Sequence, residues 1–300
     1  MEMMDIRDFK NEFIDSCRSE LLRSGAPELE IEERVVSKAQ AGRLTGLCFR
    51  APDSLCAPTL YVEDFYRMYA DGHELEDLGR EAVDAVIRGL GCGETVPADD
   101  FDIRECTDRL RARLIGSDVN SDLLETTPHL RVCDDLALIA YMVSGDFRAL
   151  VTTELLSEAG MDPDELIEAA LACSSEHERP VLYDLTDAVE SEPDERQNLL
   201  REDASCPVHG RMFVLSNTDL FWGAGVLFYP GIMPALHRVL GGDFYVIPSS
   251  VHELILVPAD TGDPAHLAEV LHSANRTVVS EEDILAFRLY LCCSGELVPA

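Results

Sequence analysis

Residues 212–257 read MFVLSN (212–217), TDLFWGAGVLFYPGIMPALHRVLGG (218–242) and DFYVIPSSVHELILV (243–257), and this stretch decides the fold. MFVLS reads as a strand. FYVI and LILV are apolar on both faces, the pattern of central strands in a sheet covered by helices. Residues 220–236 carry no charge, but they contain Pro230 and Pro234 and are too few for a membrane span, which predicts a buried helical segment. Asn217 is placed to cap that helix, and Pro230-Gly231 divides it in two. The stretch also holds the only tryptophan, Trp222, and a polar loop with a histidine between two strands.

Toward the C-terminus, Asp263 and Pro264 start a helix carrying Leu267, Val270 and Leu271, and AFRLYLC (286–292) alternates as an edge strand does. Toward the N-terminus, LALIAYMV (136–143) reads as a strand buried on both faces, with RLRARLI (109–115) and FRALV (147–151) as further strands. Asp162, Pro163 and Glu165 form a capping box that opens a helix over 162–173. Residues 174–205 are rich in acids and poor in periodic apolar positions, which predicts a solvated, partly disordered insert.

At the start of the chain, Ile6, Phe9, Phe13, Cys17 and Leu21 are spaced for an amphipathic helix over 5–24. ELEIEERVV, RLTGLCF and TLYV read as three strands, and 74–90 as a second amphipathic helix ended by Gly-Cys-Gly. TLYVEDF, ALVTTELL and FVLSNTDL each look like a short strand running into a polar cap and a helix. The predicted class is α+β: mixed β-sheets with helices packed on them. A smaller N-terminal α+β unit occupies 1–95, and a larger C-terminal α/β-like unit 96–300, with an acidic flexible insert at about 174–205.

Twenty-four basic against 57 acidic residues give a net charge of −33 and a pI near 4.4. Such a chain repels phosphate backbones and anionic membranes, so direct nucleic-acid and lipid binding are excluded classes. MEMMDIRDFKNEF lacks an apolar export core, which predicts a reduced, cytoplasmic protein without a disulfide framework. Cys17, Cys48, Cys133 and Cys173 then read as small buried hydrophobes.

Three clusters could carry chemistry. His252-Glu253 begins like a zincin motif, but Leu256 stands where the second histidine would face the metal, in a strand-like segment. Cys206 and His209 have ligand-like spacing, and Cys292-Cys293 could complete a site only if adjacent strand residues pointed the same way, which they do not. They are weak metal candidates. Ser249, Ser250, His252 and Glu253 form the most hydrolase-like group, the first two as nucleophiles, His252 as base. No GxSxG elbow exposes either serine, and a β-turn satisfying strand-end amides explains the same residues. Phosphate-loop, dinucleotide and EF-hand patterns are absent, so no cofactor is expected.

APTLYVEDFYRMYADG (57–72), VLSNTDLFWGAGVLFYPGIM (214–233) and GGDFYVIPSSVHELILVP (241–258) resemble a bacterial family known only as domain of unknown function family 5688. VLSN, LFYPGI and PSSVHELILVP are its most specific segments. The similarity runs over nearly the whole chain, with 174–205 as the variable part; more distantly, 131–300 is similar to a second uncharacterised cytosolic bacterial family. The resemblance implies an intracellular α+β protein and supplies no catalytic residue. A folded core without an assembled catalytic signature predicts a cytoplasmic, non-enzymatic interaction or regulatory module with a protein partner. Two alternatives stay open: a hydrolase using the Ser249–Glu253 loop, and an acidic nucleic-acid mimic that occupies a DNA-binding protein.

Overall fold

A computed structural model describes residues 4–26, 28–50, 58–92, 103–144, 147–191, 196–201 and 212–300. The chain divides into two units, one within residues 1–102 and 143–148 and a second within 103–142 and 149–300.

In the first unit, α1 (Ile6–Ser24) begins at Asp5, whose carboxylate accepts from the amides of Arg7 and Asp8, and ends at Gly25 in the left-handed region. Its four-residue spacing buries Phe9, Phe13, Cys17 and Leu21 on one face. Strands β1 (Glu30–Lys38), β2 (Gly42–Arg50) and β3 (Thr59–Tyr61) form an antiparallel sheet in that order, followed by α2 (Val62–Ala70) and α3 (Leu75–Cys92). Phe9 and Phe13 stack on each other, Phe9 meets Tyr66 and Tyr69 and Phe13 meets Phe65 at tilted angles, and both pack with Leu47, Phe49, Leu78 and Val83 into one core.

Residues 143–148 aside, the second unit contains two sheets. In the first, β4 (Leu110–Gly116) and β5 (His129–Cys133) flank β6 (Leu136–Ser144), which also pairs with β7 (Phe147–Leu150). The short helix α4 (Ser121–Leu124) lies between β4 and β5 in sequence; α5 (Thr153–Ala159) and α6 (Pro163–His177) follow β7, and α6 carries the capping box of Asp162 and Glu165. The second sheet uses β8 (Pro180–Asp184), β9 (Phe213–Asn217), β10 (Phe244–Ile247), β11 (Leu254–Pro258), β12 (Tyr290–Cys293) and β13 (Glu296–Pro299), in the order β13-β12-β10-β11-β9-β8. FYVI and LILV are its central strands, and α9 (Pro264–Thr277) covers one face through Leu267 and Leu271 against Ile247 and Val257. The strand pairings within both sheets are antiparallel.

Four expectations are corrected. Part of the acidic segment 174–205 is built into the fold: β8 pairs with β9 along Pro180–Asp184, α7 (Leu185–Glu190) follows, and Val181 and Leu182 are buried. AFRLYLC does not end the sheet; β12 lies inside it, because Ser294 and Gly295 take left-handed φ and turn the chain back into β13. FVLSNTDL does not lead into an α-helix, since β9 runs into an irregular loop, a 3-10 segment (Gly223–Phe228) and only then α8 (Ile232–Leu240). Cys133 is half-buried, its thiol directed at the Leu297 carbonyl, 3.4 Å away.

Candidate functional site

The loop between β9 and the 3-10 segment is unusual in its backbone. Leu220 and Trp222 have φ of 52° and 53°, in the left-handed region that side-chain-bearing residues rarely adopt. Three groups hold it there. The Asn217 side chain bonds Phe221 at both backbone atoms, donating to its carbonyl at 2.9 Å and accepting from its amide at 3.2 Å. Nδ1 of His252 accepts from the Trp222 amide at 3.1 Å. The His252 carbonyl accepts from Ser216 Oγ at 2.7 Å and from the Gly223 amide at 3.0 Å. Gly223 is required by this closeness, because a Cβ there would lie 2.2 Å from Ser216 Oγ and 2.6 Å from the His252 carbonyl.

Those contacts fix the state of His252. Nδ1 accepts, so Nε2 carries the hydrogen and donates to Asp283 Oδ1 at 3.1 Å. Asp283 sits in the 3-10 turn Glu281–Asp283, takes a second bond from Ser280 Oγ, and its carbonyl accepts from the Val251 amide at 2.9 Å. The Phe221 ring lies against the imidazole with centroids 5.1 Å apart. Outside this brace, Leu220 and Phe221 remain 38% and 45% exposed.

The hydrolase-like residues therefore come together in space without forming a relay. Ser250 Oγ accepts from the His252 backbone amide at 3.0 Å rather than meeting its ring, and both serines are buried. Both imidazole nitrogens are engaged, one by a backbone amide and one by Asp283, which leaves no lone pair to take a proton from a hydroxyl. Glu253 is half-buried; burial pushes its carboxyl above the usual range, and Asp283 adds to the rise.

A second alignment was not visible in the sequence. Cys292 Sγ lies 3.7 Å from His237 Nε2, and His237 Nδ1 lies 3.7 Å from Asp243 Oδ1. The order is that of a thiol relay, but Cys292 is fully buried and burial pushes its thiol up to about 11, so it is a packed thiol with no route to substrate. Cys293 faces the other way and is partly exposed. Cys206 and His209 lie outside the described residues. Among the described residues, no three His, Cys, Asp or Glu side chains are grouped to hold a metal ion.

Beneath the loop region, a buried ion pair joins β4 to the end of α6. Arg113 donates from both terminal nitrogens to Glu178 at 2.5 and 2.6 Å, and the Tyr229 hydroxyl donates to the same carboxylate at 3.3 Å. Ser174 Oγ accepts from the Ala112 amide nearby at 2.8 Å. Glu178 falls in the acidic segment expected to be solvated and Arg113 in the arginine-rich strand RLRARLI, yet they are 8% and 4% exposed. The pairing satisfies every charge it buries, which marks a structural lock rather than a reacting centre.

The model of a family of unknown function, DUF5688, matches residues 8–294. The chain belongs to that family. Neither the curated proteins nor the solved structures contain a match to it. Both halves of the His252 brace lie inside the DUF5688 match, as does the buried Arg113–Glu178 pair. No described helix of this DUF5688 chain is long and apolar enough to cross a membrane.

Proposed function

We propose that the protein is a non-enzymatic interaction module that works in the bacterial cytoplasm and engages a protein partner through Leu220 and Phe221. The observation that carries this reading is a strained backbone used to expose apolar side chains. A left-handed non-glycine residue costs about 1–3 kcal/mol, and such strain persists only where surrounding structure over-determines it. Here Asn217, His252 and Gly223 supply that determination, and the outcome is a leucine and a phenylalanine held toward solvent. A binding surface gains from the arrangement, because a rigid aromatic anchor loses little entropy when it is covered.

The test is a photo-crosslinking benzoylphenylalanine placed at position 221 in the full chain in its own cells, with the same residue at exposed His266 as control. A discrete adduct from 221 and none from 266 is the expected result. The same adducts from both positions, or none from 221, would overturn the proposal.

A further inference from the structure

The loop's surroundings point to the chemistry of what it binds. Asp219 precedes the two exposed apolar residues and is itself exposed. Glu281 and Glu282, also exposed, belong to the same 3-10 turn as Asp283, whose carboxylate holds the His252 ring against which Phe221 lies. Among the described residues, exposed Arg179 is also joined to this loop, its carbonyl accepting from the Thr218 amide at 2.9 Å. These described residues carry more acids than cations, and the whole chain stands at −33. An apolar anchor with an acidic rim complements a cationic segment that carries its own apolar residues, and it repels an acidic one.

Resting on the docking role proposed for this loop, we infer that the partner is a protein presenting an amphipathic cationic helix, with apolar side chains seated on Leu220 and Phe221 and Lys or Arg facing Asp219, Glu281 and Glu282. Helical spacing suits the site, because residues three and four apart offer two apolar contacts from one face and leave the flanks for cations.

Trp222 makes the site its own reporter: it is the only tryptophan, partly buried, with its ring centroid 6.4 Å from that of Phe221. The experiment titrates the full chain with three synthetic helical peptides that share their leucine positions and differ in Lys, Gln or Glu at the polar ones. Trp222 emission and calorimetry are both followed. The Leu–Lys peptide is expected to bind at least tenfold more tightly than Leu–Gln, with no binding of Leu–Glu. Phe221→Ser, and independently Leu220→Ser, should each weaken Leu–Lys about tenfold without changing net charge. Glu281→Gln with Glu282→Gln should weaken Leu–Lys and leave Leu–Gln unchanged.

Equal, Phe221-dependent binding of Leu–Lys and Leu–Gln would overturn the cationic partner while leaving the docking role standing. Leu–Lys binding untouched by either serine variant would mean diffuse attraction to an acidic protein, and would sink the inference as well. Failure of the docking role itself is read separately, by the crosslink at position 221.

Discussion

At the scale of single residues, the molecule is most informative at Leu220, whose backbone is strained while its side chain is 38% exposed. Left-handed φ costs a leucine roughly 1–2 kcal/mol, whereas asparagine visits that region readily. Leu220→Asn should therefore leave the unfolding free energy within about 1 kcal/mol of its native value, read from urea denaturation, because the relieved strain offsets the burial that the leucine loses. A drop well beyond that would mean that burial alone sets this position and that the strain argument is wrong. The sequence made His252 and Asn217 conspicuous but not their use. FVLSNTDL has the same strand and apolar pattern as TLYVEDF, which does lead into α2, from Tyr61 and without a side-chain cap. What separates them is a brace from Asp283, 31 residues beyond His252, and from Gly223, whose missing Cβ matters only once His252 is beside it. Local pattern cannot carry that information. The serines illustrate the opposite error: chemically suggestive neighbours in sequence, whose hydrogen bonds are absorbed by the backbone around them.

At the scale of elements, α6 and β4 are joined by Arg113 and Glu178 in a bidentate pair that Tyr229 also touches. Removing Arg113 leaves Glu178 with Arg111, whose Nε lies 3.7 Å from Oε1, and breaking a buried pair costs up to about 3–5 kcal/mol. Arg113→Met should lose stability within that bound in urea, and Arg113→Met with Glu178→Leu should regain only part of it, since Arg111 then loses its carboxylate. Similar losses in the single and double variants would mean that packing volume, not charge pairing, joins the elements. Elements with an unbroken apolar run were legible: LILV and FYVI declare themselves central strands, and the four-residue spacing of Phe9, Phe13, Cys17 and Leu21 declares α1. β8 was not. Its strand is short and flanked by acids, and only Val181 and Leu182 carry its burial. Arg113 was hidden for a related reason, because an arginine on an alternating strand looks solvated until a carboxylate distant in sequence is found against it.

For the molecule as a whole, the division into two units carries a prediction of its own. The unit within 1–102 and 143–148 is much the smaller, and a smaller unit buries a lower share of its surface and holds less stability in reserve. Each unit contains a thiol suited to report its opening. Cys17 in α1 and Cys292 in β12 are both fully buried, and burial pushes them up to about 12 and about 11. In the folded state they lack both access and thiolate, so alkylation awaits unfolding of the unit that encloses them. Pulses of iodoacetamide at rising urea, with the labelled peptides identified by mass, should modify Cys17 at a lower urea concentration than Cys292. Coincident midpoints would mean one cooperative block, and the reverse order would make the larger unit the weaker. Urea is the necessary denaturant. A chain at −33 repels itself, and guanidinium chloride would screen that repulsion while unfolding the protein, mixing two opposed effects whose balance differs between the units.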